Sequence, residues 1–455
     1  MVALVLAVAP QAGAAGAAEG TVRAAVGVAP TPTPQAVPRT PQAHIVSRTP
    51  LPRIASRKEG LYNTATGAPF VARGANYVRL ATNAAGQTYH STFEPGRYDR
   101  AKVIAFLEQM KHDGYNTVRV FIDPGTNGGD HGIGRGLGTY HKVFPAYMDN
   151  VADFVRQAAA RGIYTIPSLD MFPTNSHYWE LVGRVNGSST PNMAGRNLSY
   201  LDKGRVAAKA EYMANFATAL IERIGAQRST AILAYQSDNE VFFEANKAPY
   251  NKMSGTVTPL NGVTYDMADR AQRQQSADAS LVEYTIRVRS RLVDADPKAL
   301  LAVGFFSYQA VGKSGADGFS VHCDTNCSPT VDYRYPLRAG VLSYWGNVDV
   351  LDLHMYGHHG APVLNAHAMG SRKDPYIIGE FGAMRSRYNN DVRAAAYAMR
   401  DMQREMCGLG AQGYLFWTWD TTERLASQEL FFQMAEQRGA INGQLAPIVR
   451  PDPCR

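Results

Sequence analysis

The sequence predicts a single (β/α)8 TIM barrel of the α/β class with long loops on its catalytic face, and three observations lead to that prediction. Eight short runs are almost continuously apolar, as strands buried on both faces are. Helical runs with apolar residues at three- and four-residue spacing alternate with them. The chain of 455 residues is long enough for one barrel with insertions. A doubly wound sheet shows the same alternation, but eight units in one chain favour the barrel.

The first 57 residues differ in composition from the rest of the chain. Residues 1–20 are apolar and then rich in small residues, which indicates a signal peptide, although an Ala-rich tail would look similar. Residues 21–57 are rich in proline and are predicted to form a disordered linker, either a spacer or a tether. Five arginines against one glutamate give residues 1–57 +4 of the formal net charge of +7. Nothing in the remaining chain indicates nucleic-acid binding or a membrane span.

Residues 58–455 are predicted to be the catalytic domain, and its elements follow in order. A hairpin around the turn at 63–67 is expected to close the bottom of the barrel. Strands are predicted at 71–77, 117–122, 164–169, 232–236, 300–305, 348–354, 376–380 and 413–419. Helices are predicted at 98–112, 146–160, 207–224, 280–294 and 392–406. Two insertions, at 244–270 and 307–337, would then lie on the catalytic face and wall a cleft.

Two glutamates stand at the carboxyl ends of predicted strands, where parallel α/β folds place their chemistry. Glu240 follows the fourth strand in AYQSDNE, and Glu380 ends the seventh in YIIGE. A single glutamate at a strand end is more often an ion-pair partner. A pair of carboxylic acids facing each other is what glycoside hydrolysis needs, one as a proton donor and one as a nucleophile or base.

Other polar and aromatic side chains are expected around this pair. Arg119 on the second strand would point inward beside Glu380, as a structural ion pair, as a cation that keeps the nucleophile ionised, or as both. His354 and Tyr356, two apart on the sixth strand, would face the same way and orient the two carboxylates. Trp417 and Trp419 on the eighth strand would face the same way, with at least one exposed as a sugar platform. The spacing of His354 and His358 suits a metal only on a helix, so no metal is predicted.

Four cysteines, Cys323, Cys327, Cys407 and Cys454, permit three pairings. Proximity in the sequence favours Cys323 with Cys327, which leaves Cys407 to pair with Cys454. Zinc binding is the weaker alternative, because only one pair is locally spaced. Disulfides agree with a secreted protein.

The motifs together resemble those of glycoside hydrolase family 5, the cellulase and mannanase family in the clan of retaining (β/α)8 glycosidases. They are, in order, RGAN at 73–76, NTVR at 116–119, NE at 239–240, HMY at 354–356, GEFG at 379–382 and FWTW at 416–419. The resemblance covers residues 61–420, and GANYVRL and GYNTVRVFI look most like the mannanase branch. The chain departs from the family at three positions. Val241 replaces the proline that usually follows the Asn-Glu pair, and Asp238 is an unusual residue before that pair. Met171 stands where many members carry a histidine.

The resemblance implies roles for individual residues. Glu240 matches the acid/base and Glu380 the nucleophile. Substrate contacts are implied for the matching polar and aromatic positions Asn76, Arg119, Asn239, His354, Tyr356, Trp417 and Trp419.

The sequence therefore predicts a secreted, monomeric retaining glycosidase that acts on β-linked hexose polysaccharides or oligosaccharides, β-mannan before β-glucan, without a cofactor. Its two carboxyl groups should lie about 5 to 5.5 Å apart. The alternatives are a barrel that binds carbohydrate without turnover and a transglycosylase on the same scaffold.

Overall fold

Eight parallel strands close into a barrel in the computed structural model, which describes residues 50–58, 60–125, 130–135, 142–187, 192–313, 331–356, 375–425 and 427–455. The strands pair in chain order, and β8 closes the barrel against β1. They are β1 Ala72–Tyr77, β2 Thr117–Phe121, β3 Tyr164–Ser168, β4 Tyr235–Gln236, β5 Leu301–Phe306, β6 Val350–Tyr356, β7 Tyr376–Gly382 and β8 Gly413–Phe416. The predicted (β/α)8 fold and its eight strands are confirmed.

Helices surround the barrel and bury their apolar faces against it. In the described ranges, the helices longer than one turn are α1 Arg100–His112, α2 Pro145–Ala159, α3 Ser176–Asn186, α4 Lys203–Ile224, α5 Arg270–Ala295, α6 Ala339–Trp345 and α7 Val392–Gly408. Single-turn helices span Leu198–Leu201, Glu436–Gly439 and Asn442–Leu445. The five predicted helices are present, whereas α3 and α6 were not predicted. The helix expected at 280–294 begins ten residues earlier, because Asp269 caps it by accepting from the N–H groups of Ala271 and Gln272.

The bottom of the barrel is covered by the segment that precedes β1. Ile54–Arg57 pairs antiparallel with Gly60–Asn63, and the turn that follows closes with a bridge between Tyr62 and Pro69. Ile54 and Leu61 are buried against the first residues of the barrel strands. Burying each of these side chains stabilises the fold by about 1.5 to 3 kcal/mol. The predicted hairpin is therefore present, but the predicted linker ends too late, since residues 54–57 belong to the folded domain.

The chain segments at the opposite, carboxyl-terminal edge carry small antiparallel pairs of their own. After β1, Leu80–Thr82 pairs with Thr88–His90, and after β8, Arg424–Leu425 pairs with Gln428–Glu429. The two predicted insertions are joined, because Phe242–Glu244 pairs with Arg334–Pro336. Thr256–Val257 also pairs with Tyr265–Asp266 inside the first insertion. These antiparallel pairs hold the segments around the carboxyl-terminal edge of the barrel in regular structure.

The end of the chain is tied to the barrel by a disulfide. Cys407 on α7 is bonded to Cys454, with Cα atoms 5.1 Å apart, as predicted. The predicted partners Cys323 and Cys327 lie outside the described residues, as do His358 and residues 1–49, which hold the predicted signal peptide and most of the linker. None of the helices in the described ranges is long and apolar enough to cross a membrane.

Candidate active site

Glu240 lies in the segment after β4, at the edge of the barrel where the strands end. This segment is attached to β5, because Val241 N–H donates to the carbonyl of Gly304 at 2.9 Å and Gly304 N–H donates to the carbonyl of Asp238 at 3.0 Å. Only a glycine permits this approach, since a Cβ on residue 304 would lie 1.9 Å from the carbonyl oxygen of Asn239. The attachment fixes Asn239 and Glu240 over the open end of the barrel.

Glu380 is aimed by an irregularity in β7. The register between β6 and β7 shifts at Gly379, so that His354 pairs directly with Glu380. A bulge of this kind bends the strand and redirects the next side chain. A Cβ on residue 379 would lie 1.9 Å from Oδ1 of Asp352, so the position requires glycine.

These two segments bring the carboxylates together with His354. An oxygen of Glu240, an oxygen of Glu380 and a ring nitrogen of His354 all lie within 4.8 Å of one another. His354 Nδ1 is 3.0 Å from Glu240 Oε1 and 3.5 Å from Glu380 Oε2. Glu380 and His354 are buried, whereas the Glu240 side chain is 15% exposed and so is the more open of the two acids.

Arg119 is the centre of the hydrogen-bond network beneath the two glutamates. Its side chain is fully buried, and Nη1 donates to Glu380 Oε1 at 2.7 Å and to Asn76 Oδ1 at 2.9 Å. Nη2 donates to Asn239 Oδ1 at 2.6 Å, and Nε donates to Gln236 Oε1 at 2.7 Å. The planar guanidinium thereby connects residues of β1, β4 and β7 in one geometry, which a lysine could not do.

Alternate residues of β6 complete the network. Asp352, His354 and Tyr356 point to the same side of the strand, toward the barrel interior, as the period of two requires. Asp352 Oδ2 accepts from Gln236 Nε2 at 2.6 Å and faces His354 Nε2 at 3.7 Å. The Tyr356 hydroxyl donates to Glu380 Oε2. The predicted orienting roles of His354 and Tyr356 thus agree with their contacts, His354 with Glu240 and Tyr356 with Glu380.

Burial and the neighbouring charges act in opposite directions on the pKa values of Glu380 and His354. Burial raises the pKa of Glu380 above its usual value, and the charges of His354 and Arg119 offset only part of that rise. Burial lowers the pKa of His354, but the charge of Glu380 and the contacts with Asp352 and Glu240 outweigh it and raise that pKa to about 10. His354 is therefore a cation at neutral pH. Burial and the charge of Glu380 keep the pKa of Tyr356 well above its usual value, so its hydroxyl remains a donor.

The two predicted tryptophans lie in different places. Trp417 packs with Val78, Phe121 and Phe431 beside Tyr356, and only 7% of it is exposed. Trp419 is 6% exposed and packs edge-on against Phe106 and Tyr115 in the main core. The expectation that both rings face the same way is wrong, because β8 ends at Phe416 and strand alternation does not extend beyond it. Trp417 borders the site, and Trp419 belongs to the core.

Sequence reasoning missed several polar groups of the site. Gln236 and Asp352 are buried in the Arg119 network, and Ser168 Oγ lies 3.4 Å from Arg119 Nη2. Asp352 could have been found, since it stands two residues before His354 on the same strand. Glu423, in the loop after β8, lies near both catalytic candidates, and burial together with the charge of Glu380 raises its pKa to about 7. No spacing in the sequence points to Glu423.

Glu240, His354 and Glu380 are also close enough together to share a metal ion. The positive charge of Arg119 at 2.7 Å from Glu380 already balances that carboxylate, which makes a proton-sharing network the better use of the set. The absence of a required metal stays a prediction.

Comparison with known proteins finds this fold in solved structures. No protein-family model and no curated protein sequence matches the chain. An endo-1,4-β-mannanase from Rhizomucor miehei superposes with a TM-score of 0.56 at 12% identity, over 88% of this chain and 100% of that one. A glycoside hydrolase family 5 mannosidase from the same organism gives a TM-score of 0.51 at 12% identity, over 89% and 100%.

A third structure is larger than the chain. An exo-β-1,4-mannosidase from Opitutaceae bacterium strain TAV5 matches with a TM-score of 0.53 at 17% identity, over 87% of this chain but only 61% of its own length. The chain has the fold of these enzymes. Identities of 12 to 17% carry no more than the fold.

Proposed function

We propose that the protein is a retaining glycoside hydrolase that cleaves β-linked hexose polysaccharides or oligosaccharides, with β-mannan as the first candidate substrate and β-glucan as the second. The observation that supports the mechanism best is that a carboxylate oxygen of Glu240 lies within 4.8 Å of a carboxylate oxygen of Glu380. Retaining glycosidases separate their carboxyl groups by about 5 to 5.5 Å, whereas inverting enzymes leave about 6.5 to 9.5 Å for a water molecule. The β-mannan candidate rests on the motifs shared with mannanases and on the fold of the solved mannan-degrading enzymes.

In the first step, a carboxylate oxygen of Glu380 attacks the anomeric carbon as the glycosidic C–O bond breaks. Glu240 transfers its proton to the departing oxygen, which leaves a glycosyl ester on Glu380. The contacts suit these roles. Arg119 and His354 are cations beside Glu380 and favour its ionised form, and Glu240 is the acid that is open to a leaving group.

In the second step, Glu240 removes a proton from water, and the water oxygen attacks the anomeric carbon. The ester bond to Glu380 breaks and its carboxylate returns. Tyr356 donates to Glu380 Oε2, so it stabilises the charge that the nucleophile regains. Both inversions occur at the same carbon, and the product keeps the configuration of the substrate.

The test is release of reducing ends from soluble mannans, β-glucans, xylans and galactans by the wild type, Glu240→Gln and Glu380→Gln. We expect activity on mannan, and loss of about 10³-fold or more in either variant, because each removes a group that acts on the reacting atoms. Glu283→Gln is the matched control, since Glu283 lies on α5, away from the site, in a partly exposed pair with Arg287.

The outcomes separate the alternatives. A folded wild type that releases nothing from any polymer contradicts hydrolysis, and binding to a glycan array would then favour a binding barrel. Products longer than the substrate would indicate transglycosylation. Secretion belongs to the same proposal, and the Cys407–Cys454 disulfide supports it.

A further inference from the structure

The hairpin after β1 holds a histidine that the mechanism above does not use. His90 ends the strand Thr88–His90, and its backbone N–H donates to Asp123 Oδ2 at 2.9 Å. Asp123 is buried beyond the end of β2 and also accepts from the N–H of Gly125 at 2.8 Å. The backbone of His90 is therefore fixed relative to β2.

The ring of His90 is stacked on Phe121, with ring centroids 4.5 Å apart and planes 15° from parallel. Phe121 lies two residues after Arg119 on β2, and the Arg119 guanidinium carbon is 4.6 Å from its ring centre. Trp417 meets Phe121 edge-on at 5.4 Å. His90 thus belongs to an aromatic cluster with Phe121 and Trp417, next to the arginine that is hydrogen-bonded to Glu380.

One edge of the His90 ring is free to meet a ligand. Nδ1 is buried and has no hydrogen-bond partner among the described residues, whereas His90 as a whole is half-buried. Nε2 also has no hydrogen-bond partner among the described residues, and unlike Nδ1 it is not fully buried. The charged side chains that act on the pKa of this ring are Asp170, which raises it, and Arg119, which lowers it.

The ring is uncharged at neutral pH. Burial lowers the pKa of His90 to about 4, with a further decrease from Arg119 and a partial compensation from Asp170. A neutral imidazole has one donor and one acceptor nitrogen, so it suits a hydroxyl group and offers no charge to an anion. An uncharged sugar presents hydroxyl groups around the edge of its ring, and each can donate or accept a hydrogen bond.

We propose that His90 is a substrate-binding residue, whose Nε2 hydrogen-bonds a hydroxyl of a neutral sugar unit in the cleft at the carboxyl-terminal edge of the barrel. The proposal rests on the proposed function, since it assumes a carbohydrate in the cleft. It adds a contact from the hairpin after β1 to those made at the ends of β4, β6 and β7. It also assigns the chemical class of that subsite, an uncharged sugar rather than a uronic acid.

The test compares His90→Phe, which keeps the stack on Phe121 but removes the ring nitrogens, with His90→Gln, whose amide reaches the position of Nε2. With mannohexaose as the substrate, we expect His90→Phe to raise KM about 5- to 100-fold, with kcat within about twofold. His90→Gln should restore KM to within about threefold of the wild type. The rise in KM should be constant between pH 5.5 and 8, because the ring does not titrate there.

The matched control is His131→Phe. His131 is buried and stacks on Tyr89 of the same hairpin at 4.0 Å, so it tests packing of the hairpin. An equal rise in KM in His131→Phe, or an unchanged KM in His90→Phe, overturns the proposal while the wild type still hydrolyses the oligosaccharide.

A second measurement separates this proposal from the proposed function. Calorimetry of mannohexaose binding to Glu380→Gln, with and without His90→Phe, needs no turnover. Weaker binding in the double variant supports His90 even if the wild type is inactive, whereas equal binding overturns it. Absence of hydrolysis by the wild type contradicts the proposed function alone.

Discussion

Arg119→Met is the substitution that most sharply tests how the nucleophile is kept ionised. Arg119 Nη1 is 2.7 Å from Glu380 Oε1, and Nε is 3.4 Å from Asp352 Oδ2, with all three side chains at most 5% exposed. An opposite charge at this distance lowers a carboxyl pKa by about 1 to 3 units. Because burial already raises the pKa of Glu380, removing the guanidinium should raise it further.

The assay is kcat/KM for mannohexaose between pH 4 and 9. Since Glu380 must be ionised to attack, we expect the acidic limb of the profile to move up by about 1 to 3 pH units in Arg119→Met. At a pH below both acidic limbs, kcat/KM of Arg119→Met should therefore be about 10- to 1000-fold lower than that of the wild type. Arg119→Lys keeps a charge and should leave the limb within about one pH unit, but it loses the contacts to Asn76, Gln236 and Asn239 and lowers kcat.

Arg119→Met also takes away the guanidinium that faces the buried carboxylates of Glu380 and Asp352, which costs about 3 to 5 kcal/mol of unfolding free energy. Denaturant unfolding therefore accompanies the kinetics. Arg79→Met is the control, because Arg79 forms an ion pair with Asp420 at the rim with both side chains partly exposed, and pairs of this kind contribute at most about 1 kcal/mol. A folded Arg119→Met whose acidic limb coincides with that of the wild type would refute the assigned role.

Three further predictions concern other parts of the structure. Tyr356→Phe removes the donor to Glu380 Oε2, so kcat/KM should fall by about 10- to 150-fold, as expected for a bond to a charged group of about 1.5 to 3 kcal/mol; an unchanged value would contradict the contact. Glu423 has its pKa raised to about 7, so it gains a negative charge beside Glu380 as pH rises through 7; the wild-type profile should show an inflection there that Glu423→Gln abolishes. Replacing both Cys407 and Cys454 by Ser should lower the unfolding free energy by about 2 to 4 kcal/mol, given their sequence separation of 47, with activity retained. An unchanged denaturation midpoint would show that the bond adds no stability.

Much of the barrel was predictable because its signals are local. Continuous apolar runs identify buried parallel strands, and the carboxyl end of each strand then identifies the edge where Glu240 and Glu380 meet. Arg119 was predictable for the same reason, as a charged residue inside an apolar strand that has to find a partner. The fold thereby placed residues 140 positions apart in one site.

The remaining features depend on contacts between distant segments. The bulge at Gly379, which aims Glu380, exists only in the pairing of β6 with β7. Trp419 was assigned to the site by strand alternation, which ends at Phe416, and its ring instead fills the core next to α1. Glu423 and His90 reach the site from rim hairpins, whose approach to the barrel no periodicity in the sequence encodes.

The central claim is that Glu380 forms a covalent glycosyl intermediate. The most direct measurement incubates the enzyme with a 2-deoxy-2-fluoro mannosyl fluoride, which slows the second step, and locates the label by mass spectrometry of proteolytic peptides. We predict one fluoroglycosyl group on the peptide that contains Glu380, and none in Glu380→Gln. A label on another residue, or a product of inverted anomeric configuration from an active wild type, would contradict the account.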